Sequence, residues 1–144
     1  MLAPLLIGSA VICLTIFVQA AFIGVASHCL ARAGEWFLSG RMNLKLMTSL
    51  TVVVLWMLLG LSIAVWIWGG TFFLLGQFDD FETSLYFSVV SFTTIGFGDV
   101  VLSTDWRLLS GLTAANGLIL FSLTTAYLIE FILRMRRAQD GRSK

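Results

Sequence analysis

Charge is scarce in this chain. Only 12% of its 144 residues are Asp, Glu, Lys or Arg, with a formal net charge of +1, which leaves no strongly basic surface to suggest nucleic acid as a partner. The two cysteines, Cys13 and Cys29, lie in or next to one predicted helix, too far apart along it to pair. No metal-ligand spacing accompanies them, so packing is their expected role. The single histidine, His28, stands at a helix end, where an interface role is expected rather than that of a ligand or pH sensor. No nucleophile, general base or metal constellation can be assembled in a plausible site, so neither enzymatic activity nor a cofactor is expected. No segment carries arginine at every third position, which removes support for a voltage sensor. The stretch 134–144 is too short for a ligand-binding domain.

What fills the chain instead is apolar. Hydrophobic residues make up 58% of it and the mean hydropathy is +0.95, a membrane composition in a chain of one-domain length. The first charge-free run, 5–27, is long enough to span a bilayer, with Pro4 where a first helical turn tolerates it. Small residues at Ala20-Ala21 and Ala26-Ser27 resemble cleavage sites, but the run lacks the basic flank of a signal peptide, so a retained helix is expected. Residues 28–47 set Arg32, Arg41 and Lys45 against Glu35, with Trp36, Phe37 and Leu38 between. Such interleaving suits an interfacial helix or an ordinary basic loop.

A second charge-free run, 48–75, exceeds what a hydrocarbon layer of about 30 Å requires, so it should tilt or project. Within it Trp66 and Trp68 suit an outer aromatic belt and Trp56 a lipid-facing position. Gly69-Gly70 is a place to bend or to admit a neighbour closely. An acidic connection follows, in which Asp79 precedes Glu82 by three residues, a variant of the capping box. The helix it opens, 80–92, is too short to cross and should dip into the layer and return, with the negative pole of its dipole pointing inward. The last helix is expected over 106–133, capped by Ser103, Thr104 or Asp105. The chain thus reads as an all-α membrane protein. Residues 1–47 form an N-terminal span and loop, 48–133 the main unit, and 134–144 a basic tail.

Between the short helix and the last one lies a polar island, Thr93-Thr94-Ile95-Gly96-Phe97-Gly98-Asp99. Irregular backbone at membrane depth survives only when buried in protein or lining an aqueous path. Gly96 and Gly98 permit dihedrals that side-chained residues avoid, so consecutive carbonyls can face one axis and replace the water around a cation. The Thr94 hydroxyl would add one more oxygen. The run Thr94-Ile95-Gly96-Phe97-Gly98-Asp99 resembles the potassium-channel signature Thr-Val-Gly-Tyr-Gly-Asp. The resemblance reaches back through 84–93 and forward through Trp106 into the last helix. It is similar to the small prokaryotic potassium channels with an outer helix, pore loop and inner helix, here with one extra N-terminal helix.

That resemblance implies a passive potassium channel with a tetrameric pore. Thr94, Ile95, Gly96, Phe97 and Gly98 would form the selectivity filter, and K+ would be held through Thr94, Ile95, Gly96 and Phe97. Thr93, Asp99 and Tyr86 would support it. Ungapped alignment to the family from the filter onward puts Ile119, Ser122, Ala126 and Glu130 on the cavity side, with Gly117 a candidate gating hinge. Glu130 is either part of a carboxylate ring at the inner mouth or an i, i+4 partner of Arg134. Asn116 either faces the cavity or bonds a neighbouring helix, and packing alone accounts equally for Gly111 and Gly117.

The chain departs from the common pattern too. Tyr86 and Phe87 stand where many relatives have tryptophan, Val90 where some have glutamate, and Phe97 lacks the tyrosine hydroxyl. The hydrogen-bonded cuff around the filter is therefore thinner, and a weakly selective Na+/K+ channel is an alternative. A non-conducting membrane assembly protein is another, and a subunit of an ion-driven transporter a more distant one.

Arg32, Arg41 and Lys45 fall on one side with Arg134, Arg136, Arg137, Arg142 and Lys144 under a three-span arrangement. By the positive-inside rule that side is cytoplasmic. The expected setting is the inner or plasma membrane, with the N-terminus outside, the C-terminus inside, and anionic lipid within reach of the basic tail.

Overall fold

A computed structural model describes residues 2–33 and 42–140. Among the described residues the elements follow in order: α1 Leu2–Ala33, α2 Met42–Leu74, α3 Phe81–Phe92, the 3-10 turn Thr104–Trp106, and α4 Arg107–Asp140. Three segments are long and apolar enough to cross a membrane, Leu2–Cys29, Met47–Leu74 and Thr104–Arg137. The centre of the expected interfacial segment, 34–41, lies outside the described residues.

The helices overrun the hydropathy limits. α1 starts before residue 5 and passes Ser27, α2 starts before 48, and α4 continues past Leu133 to Asp140. Hydropathy marks where lipid stops, whereas a helix stops only where glycine, proline or a better local bond intervenes. Arg134, Arg136 and Arg137 are good helix formers, so α4 carries on past the apolar stretch.

The core lies among α2, α3 and α4. Leu61, Ala64, Trp68, Phe72, Phe87, Phe92, Leu102, Leu109 and Leu120 form one buried cluster. Phe72 meets Phe87 edge-on at 5.1 Å, and Phe78 lies 5.3 Å from the same ring. Edge-to-face pairs add stabilisation beyond the area they bury, here holding a 12-residue helix that cannot span the membrane. Ser88 on α3 donates to the Val65 carbonyl on α2 at 2.7 Å. Beside it Gly69 admits α3 so closely that a Cβ there would lie 3.2 Å from Leu85 Cα. Of the two expected roles for this glycine, close approach is the one seen.

α1 packs on α2 and α4. At Gly8 an added Cβ would collide with Leu112 Cδ1 of α4, and at Gly60 it would lie 2.5 Å from Gln19 Oε1 of α1. Trp56 is not simply lipid-facing: its Nε1–H donates to the Phe22 carbonyl at 3.0 Å, and the two rings lie 4.7 Å apart. Trp68 is not in a belt either, being fully buried. Both indoles carry a donor that lipid cannot satisfy, and each has found an acceptor inside the chain. Cys13 and Cys29 are free thiols, but they sit on the outside of the chain rather than in its packing.

Candidate functional site

Asp80 determines where α3 begins. Its carboxylate accepts from the backbone N–H and the hydroxyl of Thr83, each at 2.7 Å. Those bonds, the backbone one foremost, hold the Asp80 carboxyl below its ordinary value. The cap is thus Asp80 with Thr83, one position after the Asp79–Glu82 pairing expected from sequence. An N-cap needs extended backbone, and Asp80 has it, with φ −129° and ψ 154°. The cap expected before the last helix is also absent as a side-chain bond, because Ser103 donates its hydroxyl to Gln77 Oε1 at 2.7 Å.

The carboxyl end of α3 unwinds directly into the polar island. Thr93 N–H donates to Val89 O at 2.9 Å, Thr94 N–H to Ser91 O at 3.0 Å, Ile95 N–H to Val90 O at 3.0 Å and Gly96 N–H to Val90 O at 3.3 Å. In a trans peptide a carbonyl points opposite to the next residue's N–H, and no described peptide bond is cis. With three successive amides turned back onto α3, the carbonyls of Thr93, Thr94 and Ile95 are turned away from it.

The sign of φ alternates along the same stretch. It is −82° at Thr93, then positive at Thr94 (62°), Gly96 (58°) and Gly98 (77°), with Ile95 and Phe97 between them not positive. In a strand successive residues face opposite sides. Alternating the sign of φ removes that reversal and lets successive carbonyls face the same way. Glycine accepts such values freely, but a β-branched residue does not. Thr94 therefore stores about 1–3 kcal/mol, a strain that persists only where the surroundings over-determine it. The loop side chains are bare, Ile95 54% and Phe97 69% exposed within the chain.

Tyr86 ties the far end of the loop back to α3 by donating its hydroxyl to Asp99 Oδ2 at 2.7 Å. That bond holds the Asp99 carboxyl below its ordinary value of 3.8 and raises the Tyr86 hydroxyl above 10.0. For Asp99 the lowered folded value means the contribution is full above 3.8 and is lost as pH falls through the still lower folded value. For Tyr86 the raised value means it is full below 10.0 and is lost only at higher pH. The bond is thus at full strength across physiological pH. In Tyr86→Phe the Asp99 titration, followed by carboxyl NMR, is expected to move up toward 3.8; an unmoved titration would mean the bond is absent in solution.

The α4 candidates separate into two groups. Ile119, Ser122 and Ala126 lie on an open face of the helix, uncovered by the rest of the chain. Glu130 is paired: Arg134 Nε donates to its Oε1 at 2.8 Å, the i, i+4 partnership that was one of the two expectations. Asn116 and Gly117 lie inside. Asn116 is fully buried, and its Oδ1 accepts from Thr15 Oγ1 at 2.8 Å and Trp68 Nε1 at 2.9 Å. Bonding to neighbouring helices, the second of the two expectations for this residue, is the arrangement seen. Gly117 lies against the Phe92 carbonyl, the end of α3, so closely that a Cβ would collide with that oxygen. The contact favours packing as the reason for this glycine.

Sequence reasoning missed Thr15 and Gln19. Both are buried in α1, and Gln19 Nε2 donates to Thr124 Oγ1 on α4 at 2.9 Å. The signal was present as two polar residues one turn apart in an otherwise apolar run. Among the described residues no group of three or more His, Cys, Asp or Glu side chains could hold a metal, so any cation at the loop would depend on backbone and hydroxyl oxygens.

Residues 60–134 match the family model Ion_trans_2, described as Ion channel. The match begins in the middle of α2, takes in α3 and the loop, and ends within α4. Neither a curated protein nor a solved structure matches the chain.

Proposed function

Since this chain belongs to the Ion_trans_2 ion channel family, and so is a membrane channel and not an enzyme, we propose that it conducts potassium ions passively through a pore built from four copies. The observation that carries this reading is the loop backbone. Amides of residues 94–96 are tied to α3, and φ is positive at Thr94, Gly96 and Gly98 in turn. A row of carbonyls turned from its own helix has lone pairs and no donor, which suits a desolvated cation.

One chain supplies one such row, and a cation needs oxygens on every side, so the ligand shell requires further copies around a closed axis. The bare side chains of Ile95 and Phe97 and the open face carrying Ile119, Ser122 and Ala126 fit a partner copy in the same way. In this reading Thr94, Ile95, Gly96 and Phe97 provide the ion sites, and Thr93, Tyr86 and Asp99 support them. The pore unit is 48–133 and the basic end of α4 is cytoplasmic by the positive-inside rule. Asp79, Asp80 and Glu82 in every copy would then raise the cation concentration at the outer mouth.

Phe97 favours a second reading, a channel that passes sodium nearly as well, because its ring has no hydroxyl to bond the surroundings of the filter. Purified protein in liposomes distinguishes the two. The expected result is barium-blocked potassium flux and a bi-ionic reversal potential near the potassium value. A reversal potential near zero would favour the weakly selective channel, and no flux of either ion under any condition would overturn both readings.

A further inference from the structure

Helix α1 lies outside the residues that match the channel family, yet buried polar contacts from Thr15 and Gln19 tie it to the rest of the chain. Thr15 Oγ1 donates to Asn116 Oδ1 at 2.8 Å, sharing its one proton with the Ile12 carbonyl of its own helix at 2.9 Å. Gln19 Nε2 donates to Thr124 Oγ1 at 2.9 Å and lies 3.7 Å from Met57 Sδ. Further along, Ser27 Oγ lies 3.4 Å from the Tyr127 hydroxyl. The partners ascend in the same order on both helices, so α1 and α4 run parallel with one polar seam between them.

Asn116 is the node of this seam. The oxygen that takes the Thr15 hydroxyl also takes the indole N–H of Trp68 on α2, so one atom ties three helices. The next residue, Gly117, abuts the carbonyl of Phe92, and the Phe92 ring lies 5.6 Å from Phe121, one turn further along α4. Phe92 is the last residue of α3 and is followed by Thr93 and the strained Thr94. A line of direct contact therefore runs from Thr15 through Asn116 and Gly117 to the base of the loop.

We infer that Thr15 is a positioning residue for ion binding: through Asn116 and Gly117 it fixes the carboxyl end of α3, and with it the spacing of the loop carbonyls. The inference rests on the filter reading above, and extends it to a helix outside the family's pore segment. The physical reason is preorganisation. A loop whose end is held in one place binds its ion without first paying to order itself. The seam has little redundancy, since Asn116 Nδ2 and Gln19 Oε1 have no protein partner. If the Thr15 hydroxyl is lost, Asn116 Oδ1 keeps only the Trp68 bond, and α4 loses the α1 tie nearest the base of the loop while the Gln19–Thr124 and Ser27–Tyr127 contacts remain.

The test is a potassium titration of thermal melting at constant ionic strength, with sodium as the replacement ion, on the full-length protein. A ligand that binds only the folded state raises its stability with concentration, so the potassium concentration giving half the effect reports filter affinity without requiring an open pore. Thr15→Val keeps the shape and removes the hydroxyl, and Thr15→Ser keeps the hydroxyl. Intramembrane hydrogen bonds of this kind are worth enough to change an equilibrium about threefold. The half-effect concentration is expected to rise by about that factor in Thr15→Val and to return in Thr15→Ser. Thr51→Val, which removes a hydroxyl bonded only within its own helix, should leave it unchanged. An unchanged value in Thr15→Val, or a value as altered in Thr15→Ser, overturns the inference while leaving the filter reading intact. A wild-type protein with no potassium-specific stabilisation sinks the filter reading, and the inference with it.

Discussion

Gly96→Ala is expected to reduce potassium flux by about a hundredfold or more, although the new methyl meets nothing within 4 Å in the chain. The cause is the backbone. Gly96 has φ +58°, a left-handed conformation that costs an L-residue about 1–2 kcal/mol. Four copies around one axis would bear that cost together, roughly 4–8 kcal/mol in total. The cheaper outcome is for the peptide to rotate, which would take a carbonyl out of the row and remove an ion site. Gly24→Ala is the matched control: it too has open space, but lies in α1 without a positive φ. Flux through that variant should stay within about twofold of wild type, since alanine is also the better helix former. Equal flux in Gly96→Ala and wild type would show that the left-handed backbone is irrelevant to conduction.

Gly117→Ala is expected to fail earlier, in folding. Its Cβ would be driven into the Phe92 carbonyl oxygen, with the Phe92 carbonyl carbon 2.9 Å away. The obstacle is backbone at the end of a helix, with no flexible side chain to swing aside. Overpacking of this kind costs about 1–3 kcal/mol per site, and more where neither side can yield. The measurement is the yield of folded protein in detergent and its melting midpoint, both of which should fall sharply. Gly111→Ala, where an added Cβ meets nothing within 4 Å, should be neutral or stabilising by up to about 1 kcal/mol. The contrast also separates two roles for Gly117. A hinge would tolerate alanine in folding and show its effect in opening alone, whereas a packing contact loses the protein itself. Normal yield with altered open probability would favour the hinge.

The spans were legible because lipid imposes a length and an absence of charge, both of which are written directly in a sequence. Their ends were not, because helices stop for local reasons: α4 passes Leu133 and continues through three arginines. The short helix α3 was legible from the acidic stretch before it and the glycines after it. Its cap was placed one residue early because Asp79 and Asp80 are adjacent acids and only backbone geometry chooses between them. The island at 93–99 was conspicuous since two alternate glycines in an apolar chain have few purposes. What it could not reveal is that Val90 O receives two amides from the loop, a contact that depends on how α3 ends.

The interior of the three-helix contact was the least legible part. Thr15 and Asn116 are separated by 101 positions, and nothing local in either neighbourhood names the other. Trp68 reads as a belt residue and became something else when it met an acceptor, while Asn116 suits a cavity and a helix contact equally until its partners are known. Glu130 was ambiguous for the opposite reason. Its partner Arg134 is local and visible, while a pore axis is a property of several chains.

The same long separation bears on how the protein is made. Gln19 is made before its acceptor on Thr124, which is translated 105 residues later. Until then the buried amide in α1 has only the weak sulfur acceptor of Met57, 38 positions on, among its final partners. The nascent first helix must therefore remain beside the insertion machinery, or keep exchanging provisional partners, until the last helix slides in next to it.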